Sequence, residues 1–141
     1  MNNATFFFNQ PKNEPVFSYA KGSKERDLLS KELEKQYNQC IEIPIIINGK
    51  EIRTGNVSEV VMPTEHSHVL AKFHKADKET VQKAIEAALE ARKKWENVHW
   101  IDRCSIMLRA AELLAGKYRY VINAATMLGQ GKNPFQAEID S

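Results

Sequence analysis

The chain has 141 residues, 43% of them hydrophobic and 27% charged, with a net charge of +2. That length and apolar content suffice for one hydrophobic core. The balance of charge gives no footing for a nucleic-acid or anionic-membrane partner, and no apolar run approaches the roughly 20 residues of a bilayer span.

Residues 1 to about 24 combine Asn, Pro, Gly and Ser with the rings of Phe6, Phe7, Phe8, Phe17 and Tyr19, which describes an extended arm needing a surface on which to bury them. The three adjacent phenylalanines are too short for a signal-peptide core, and Glu14, Glu25 and Asp27 come too early for a mitochondrial presequence, so the cytoplasm is the expected compartment. Ser23 caps a predicted helix over 24–38, with Leu28, Leu29, Leu33 and Tyr37 as its apolar stripe. From Ile41 the pattern turns to strand. Residues 44–47, the Asn48-Gly49 pair and residues 50–54 predict a hairpin with a type I′ turn. A second strand pair is expected at 57–62 and 69–73, joined by a polar turn over 64–67, which makes a four-strand patch too small to stand alone.

Helices follow. Asp77 is the expected cap of the first, which turns Val81, Ala84, Ile85, Ala88, Ala91 and Trp95 to one side and pairs Glu79 with Lys83 and Glu90 with Lys94 on the other. The next runs from Ile101 with Cys104, Met107, Leu108, Ala111 and Leu114 inward, until Gly116 interrupts it. A third, over 117–128, is expected to bury Tyr118, Val121, Ile122 and Ala125. Gly129 and Gly131 supply a helix stop; Asn133, Pro134 and Gln136 then form a cap, a first-turn proline and a capping box for a new helix. That helix is about five residues old at Ser141, short of the three turns typical of globular helices, so the expectation is a chain cut inside a helix and belonging to a longer protein.

Complete catalytic motifs are missing. Gly129-Gln130-Gly131-Lys132 follows a helix and lacks the hydroxyl residue of a P-loop, and Pro134 stands where a dinucleotide fingerprint needs its third glycine. His66 and His68 share one strand face near His74, but no third and fourth ligand accompanies them, and polar turn histidines are the expectation. Cys40 and Cys104 fit no CxxC spacing and no base stands near either, so both read as reduced thiols outside catalysis. Glu112, Glu138 and Asp140 read as solvated helix carboxylates.

The order of parts resembles a known family. NEPV at 13–16, GSKER at 22–26, the hairpin INGKEIRTGN at 47–56, the helix ADKETVQKAIEAALEARKKW at 76–95, Asp102-Arg103, LRAAELLAG at 108–116 and INAATMLGQGKNPFQAEID at 122–140 together are similar to the amino-terminal part of the L-glutamate γ-semialdehyde (1-pyrroline-5-carboxylate) dehydrogenases, in the aldehyde dehydrogenase superfamily. The resemblance implies an α/β fold in three parts: arm and first helix at 1–40, β patch at 41–75, and at 76–141 the incomplete helical start of an NAD-binding domain. It implies a parent enzyme that oxidises L-glutamate γ-semialdehyde to L-glutamate with NAD in proline degradation, acting as a homo-oligomer without nucleic acid or membrane. The nucleophilic cysteine, the activating glutamate and the NAD contacts of that family have no match here, so no catalytic, cofactor or metal residue is assigned and the chain alone is expected to be inactive. The one site residue carried over is Glu138, whose counterpart in the QAEID motif borders the substrate entrance, where a carboxylate suits the ammonium of an amino-acid aldehyde. The start at Met1 within the arm resembles the monofunctional rather than the fused enzyme, with the mitochondrial matrix as the alternative compartment. The rival readings are another semialdehyde dehydrogenase, or a helical interaction module using the Ala-rich face of residues 81–95.

Overall fold

The computed structural model describes Thr5, Phe7, Gln10 and residues 12–140; Phe6 and Phe8 of the predicted arm lie outside the described residues. Helix α1, Lys24–Tyr37, begins where the Ser23 hydroxyl accepts the Arg26 N–H and ends at Asn38. Five strands follow: β1 (Ile41–Ile43), β2 (Ile45–Ile47), β3 (Lys50–Ile52), β4 (Val57–Met62) and β5 (Glu65–His74).

These strands form two sheets rather than one four-strand patch. The first has the order β1-β5-β4, with β1 parallel and β4 antiparallel to β5; the second is the β2–β3 hairpin. Pro44 separates the two isoleucine runs on either side of it, because it has no N–H for a ladder. Strand β5 also starts earlier than its sequence predicts, leaving only Pro63 and Thr64 as the turn and placing His66 and His68 inside a strand. An irregular register between Val60, Val61 and Met62 lets the short β4 follow the longer β5.

The hairpin turn is as expected: Asn48 and Gly49 both have positive φ, 51° and 73°, the signature of type I′. An alanine at position 49 has open space around its Cβ but the wrong backbone for an L side chain. Gly49→Ala is therefore expected to cost about 1 kcal/mol, read as a lower urea midpoint at unchanged slope.

Helices α2 (Lys78–Trp95), α3 (Trp100–Ala115), α4 (Arg119–Gln130) and α5 (Pro134–Asp140) complete the chain. Asp77 caps α2 through the Thr80 N–H at 2.7 Å, and hydrogen bonding from the Thr80 side chain, then from its N–H, holds the carboxyl below the usual range. Glu79 pairs with Lys83 as expected, but Glu90 takes Lys93 at 2.7 Å rather than Lys94. Gly116 closes α3. At the end of α4 only Gly131 adopts positive φ, 66°, while Gly129 stays helical. The α5 capping box is complete: Asn133 Oδ1 accepts the Gln136 N–H at 2.9 Å, and Gln136 Oε1 accepts the Asn133 N–H at 3.1 Å.

The core gathers Tyr19 of the arm, Leu29 of α1 and Ala124 of α4, ringed by Phe17, Leu33, Tyr120 and Met127. Several predicted inward faces are not buried here. Val81, Ile85 and Trp95 of α2, and Cys104, Met107, Leu108 and Leu114 of α3, are exposed. On α4 the buried positions are Arg119, Asn123 and Ala124, whereas Tyr118, Val121 and Ala125 face out. One residue of phase is about 100° of rotation on a helix, and it turns a polar pair inward. No helix among the described residues is long and apolar enough to cross a membrane.

Candidate functional site

The buried polar side of α4 meets α5 and the arm at one carboxylate. Arg119 and Asn123 are four residues apart and so share a helix face. The capping box starts α5 at Pro134 and sets Glu138 opposite them. The side chain of Glu138 is 1% exposed and that of Arg119 9%. Oxygen Oε2 accepts the Tyr19 hydroxyl at 2.5 Å, Asn123 Nδ2 at 2.7 Å and Arg119 Nε at 3.3 Å. Oxygen Oε1 accepts the Phe17 N–H at 2.9 Å and Arg119 Nη2.

Arg119 is itself held from several directions. Its Nη1 and Nη2 donate to the carbonyls of Ala115 and Pro15, and its guanidinium lies 4.0 Å from the centroid of the Phe17 ring. The arm and two helices are thus tied through one ion pair. A cavity of about 170 Å³ adjoins it, lined by Glu138, Arg119 and Asn123 with Glu14 of the arm and the apolar Leu114 and Ile122.

The electrostatics fix the protonation of each member. Burial pushes the Glu138 carboxyl up, but the bonds from Arg119, Tyr19, the Phe17 N–H and Asn123 outweigh it and bring the pKa to about 2. Burial, reinforced by the bond to Glu138, raises the Tyr19 phenol well above its usual range. The bond to Glu138 also raises Arg119. At neutral pH the carboxylate is ionised and the phenol keeps its proton. The arrangement suits holding a fixed charge rather than moving a proton.

Glu138 is therefore not the solvated carboxylate that its helical position predicts. Asp140 is partly exposed and pairs with Lys132 at 2.5 Å, and Glu112 pairs with Arg109 on the surface. The Lys132 pairing and the helical Gly129 agree with a helix connection rather than a phosphate loop. His68 stacks on Tyr37 at 4.0 Å, whereas His74 is buried, accepting the Gly55 N–H on Nδ1 and meeting Glu42 Oε1 through Nε2 at 2.7 Å. Among the described residues no group of three His, Cys, Asp or Glu side chains is placed to hold a metal. Cys40 and Cys104 are free and exposed.

Tyr19, Arg119 and Asn123 escaped sequence reasoning as site members. The available signal was a pair of polar residues, Arg119 and Asn123, at i and i+4 within an otherwise apolar helix.

A profile of the aldehyde dehydrogenase family matches residues 51–141, more than half of the chain. The chain belongs to the aldehyde dehydrogenase family. The delta-1-pyrroline-5-carboxylate dehydrogenase of Agaricus bisporus is 50% identical over 139 residues, 98% of this chain and 26% of that protein. The mitochondrial delta-1-pyrroline-5-carboxylate dehydrogenase of Homo sapiens is 46% identical over 129 residues, 92% of this chain and 23% of that one. Among solved structures, the delta-pyrroline-5-carboxylate dehydrogenase of Mycobacterium tuberculosis bound with NAD matches with a TM-score of 0.93 at 39% identity, over 97% of this chain and 26% of that chain. The described fold is thus the mixed α/β amino-terminal portion of an aldehyde dehydrogenase, and the chain spans about a quarter of the length of these relatives.

Proposed function

We propose that this chain is the amino-terminal part of an NAD-dependent dehydrogenase that oxidises L-glutamate γ-semialdehyde, the open form of 1-pyrroline-5-carboxylate, to L-glutamate in proline degradation. The match of 98% of the chain to a protein of that name at 50% identity is the observation that carries the reading. In it, residues 76–141 begin the NAD-binding domain. The exposed apolar stripes of α2 and α3 support the idea that further polypeptide packs there. The glycine-rich turn at 129–131 follows a helix, and Lys132 is engaged by Asp140, which supports placing the NAD contacts elsewhere. NAD belongs to residues other than these, and the chain alone is expected to show no NAD-dependent turnover. The complete enzyme is read as a homo-oligomer. Relatives named mitochondrial, from Homo sapiens among others, set the mitochondrial matrix beside the cytoplasm as its compartment.

Glu138 is the substrate-facing residue of this proposal. Its carboxylate stays ionised across the working range and adjoins a cavity, which suits attraction of the substrate's ammonium. Glu138→Ala in the complete dehydrogenase is expected to lower kcat/KM for the semialdehyde by about 10- to 100-fold, the worth of a hydrogen bond to a charged group. Steady-state kinetics on folded variant protein check this, and unchanged constants would remove Glu138 from the substrate entrance.

A further inference from the structure

Tyr19 has a backbone conformation that needs an explanation. Its φ is 52°, and the other described non-glycine residue with positive φ is Asn48, which its turn type demands. A bulky side chain in the left-handed region is unfavourable, and such strain persists where the surroundings over-determine it, often at functional sites. Two sets of contacts hold Tyr19 there. Its ring is buried with Leu29 and Ala124, and its hydroxyl donates to Glu138 Oε2 at 2.5 Å while accepting from Asn123 Nδ2 at 2.9 Å. Asn123 in turn gives Oε2 a second bond, at 2.7 Å.

Position in the sequence adds an independent observation. The family-wide match begins at residue 51, whereas the match to the Agaricus bisporus pyrroline-carboxylate dehydrogenase takes in 139 of the 141 residues. The arm carrying Tyr19 lies ahead of the family match, whereas Asn123 and Glu138 lie within it.

We propose that Tyr19 and Asn123 are positioning residues: by bonding Oε2 they lock the rotation of the Glu138 carboxylate beside the cavity, where the proposed substrate presents the ammonium of an α-amino aldehyde. The arm is then a determinant of specificity and not only packing. This rests on the assignment of Glu138 to the substrate entrance, and the test separates the two.

The test uses the complete dehydrogenase with two substrates, glutamate γ-semialdehyde and propanal, which has no ammonium. Tyr19→Phe keeps the ring in the core and removes the hydroxyl; Asn123→Leu is the second variant should the first fail to fold. Either is expected to raise KM for the semialdehyde about 3- to 10-fold, the loss of one hydrogen bond. The deciding readout is the ratio of kcat/KM for the semialdehyde to that for propanal, which should fall about 3- to 10-fold in either variant. Glu138→Gln should show the same selectivity with a larger effect. Normal semialdehyde kinetics in Tyr19→Phe beside impaired Glu138→Gln would overturn the positioning role and leave Glu138 at the entrance. Normal kinetics in Glu138→Gln would remove the underlying assignment and the positioning role with it. Equal losses on both aldehydes, or a lowered KM in Tyr19→Phe, would also overturn the proposal, by showing general packing or competition between arm and substrate.

Discussion

Arg119→Ala is expected to destabilise the protein by about 3–5 kcal/mol, because it leaves a buried carboxylate without its cation. The Glu138 side chain is 1% exposed, so water cannot replace the guanidinium without opening the seam between α4, α5 and the arm. The same substitution releases the Pro15 and Ala115 carbonyls and the face of Phe17. Set against the 5–15 kcal/mol typical of a folded domain, this is a large fraction of the total.

The effect should depend on pH in a defined direction. Glu138 is depressed from the usual 4.5 to about 2, so its stabilising contribution is complete above about pH 4.5 and lost as pH falls toward 2. In Arg119→Ala the chief depressing group is gone, so the carboxyl takes up its proton at a higher pH than in the parent. Protonation removes the buried charge. The gap between parent and variant should therefore be widest near neutrality and narrow on acidification below about pH 5, as read from urea midpoints across that range. A gap independent of pH would show that lost packing of the arginine, rather than the stranded charge, sets its size.

Leu29→Ala is the second large expectation, at about 2–5 kcal/mol, the range for truncating a buried leucine with incomplete collapse around the void. Leu29 is 2% exposed and sits between Tyr19 and Ala124, where arm, α1 and α4 meet. Its neighbour Leu28 is 36% exposed, and Leu28→Ala should cost less than about 1 kcal/mol. Matched urea unfolding of the two variants checks the comparison. Equal losses would mean that the outer side of α1 is covered in solution.

This pair of leucines shows what periodicity could and could not decide. The stripe Leu28, Leu29, Leu33 and Tyr37 correctly announces an amphipathic helix, but a stripe of that width has a centre and two edges. Only the position of α4 and the arm makes Leu29 the centre, with Leu28 and Tyr37 at the edges. On α4 the apolar residues mislead more seriously. Its buried side carries Arg119 and Asn123, because a carboxylate 19 residues away from the arginine needs them. A window of one helix cannot contain that information. Likewise, nothing local marks Ile41–Ile43 as the parallel partner of β5, since that pairing depends on a residue separation of about thirty.

The sequence by itself determined the features whose cause lies within a few residues: the Ser23, Asp77 and Asn133 caps, the Asn48-Gly49 turn, the stops at Gly116 and Gly131, and through its motifs the family. It also picked out Glu138, but in the wrong surroundings, as a carboxylate in water. The tertiary structure alone brought Phe17, Tyr19, Arg119 and Asn123 onto it from up to 121 residues away. The physical reason is that caps and turns are satisfied by neighbouring backbone groups, whereas a buried charge must be satisfied by whatever the fold carries to it.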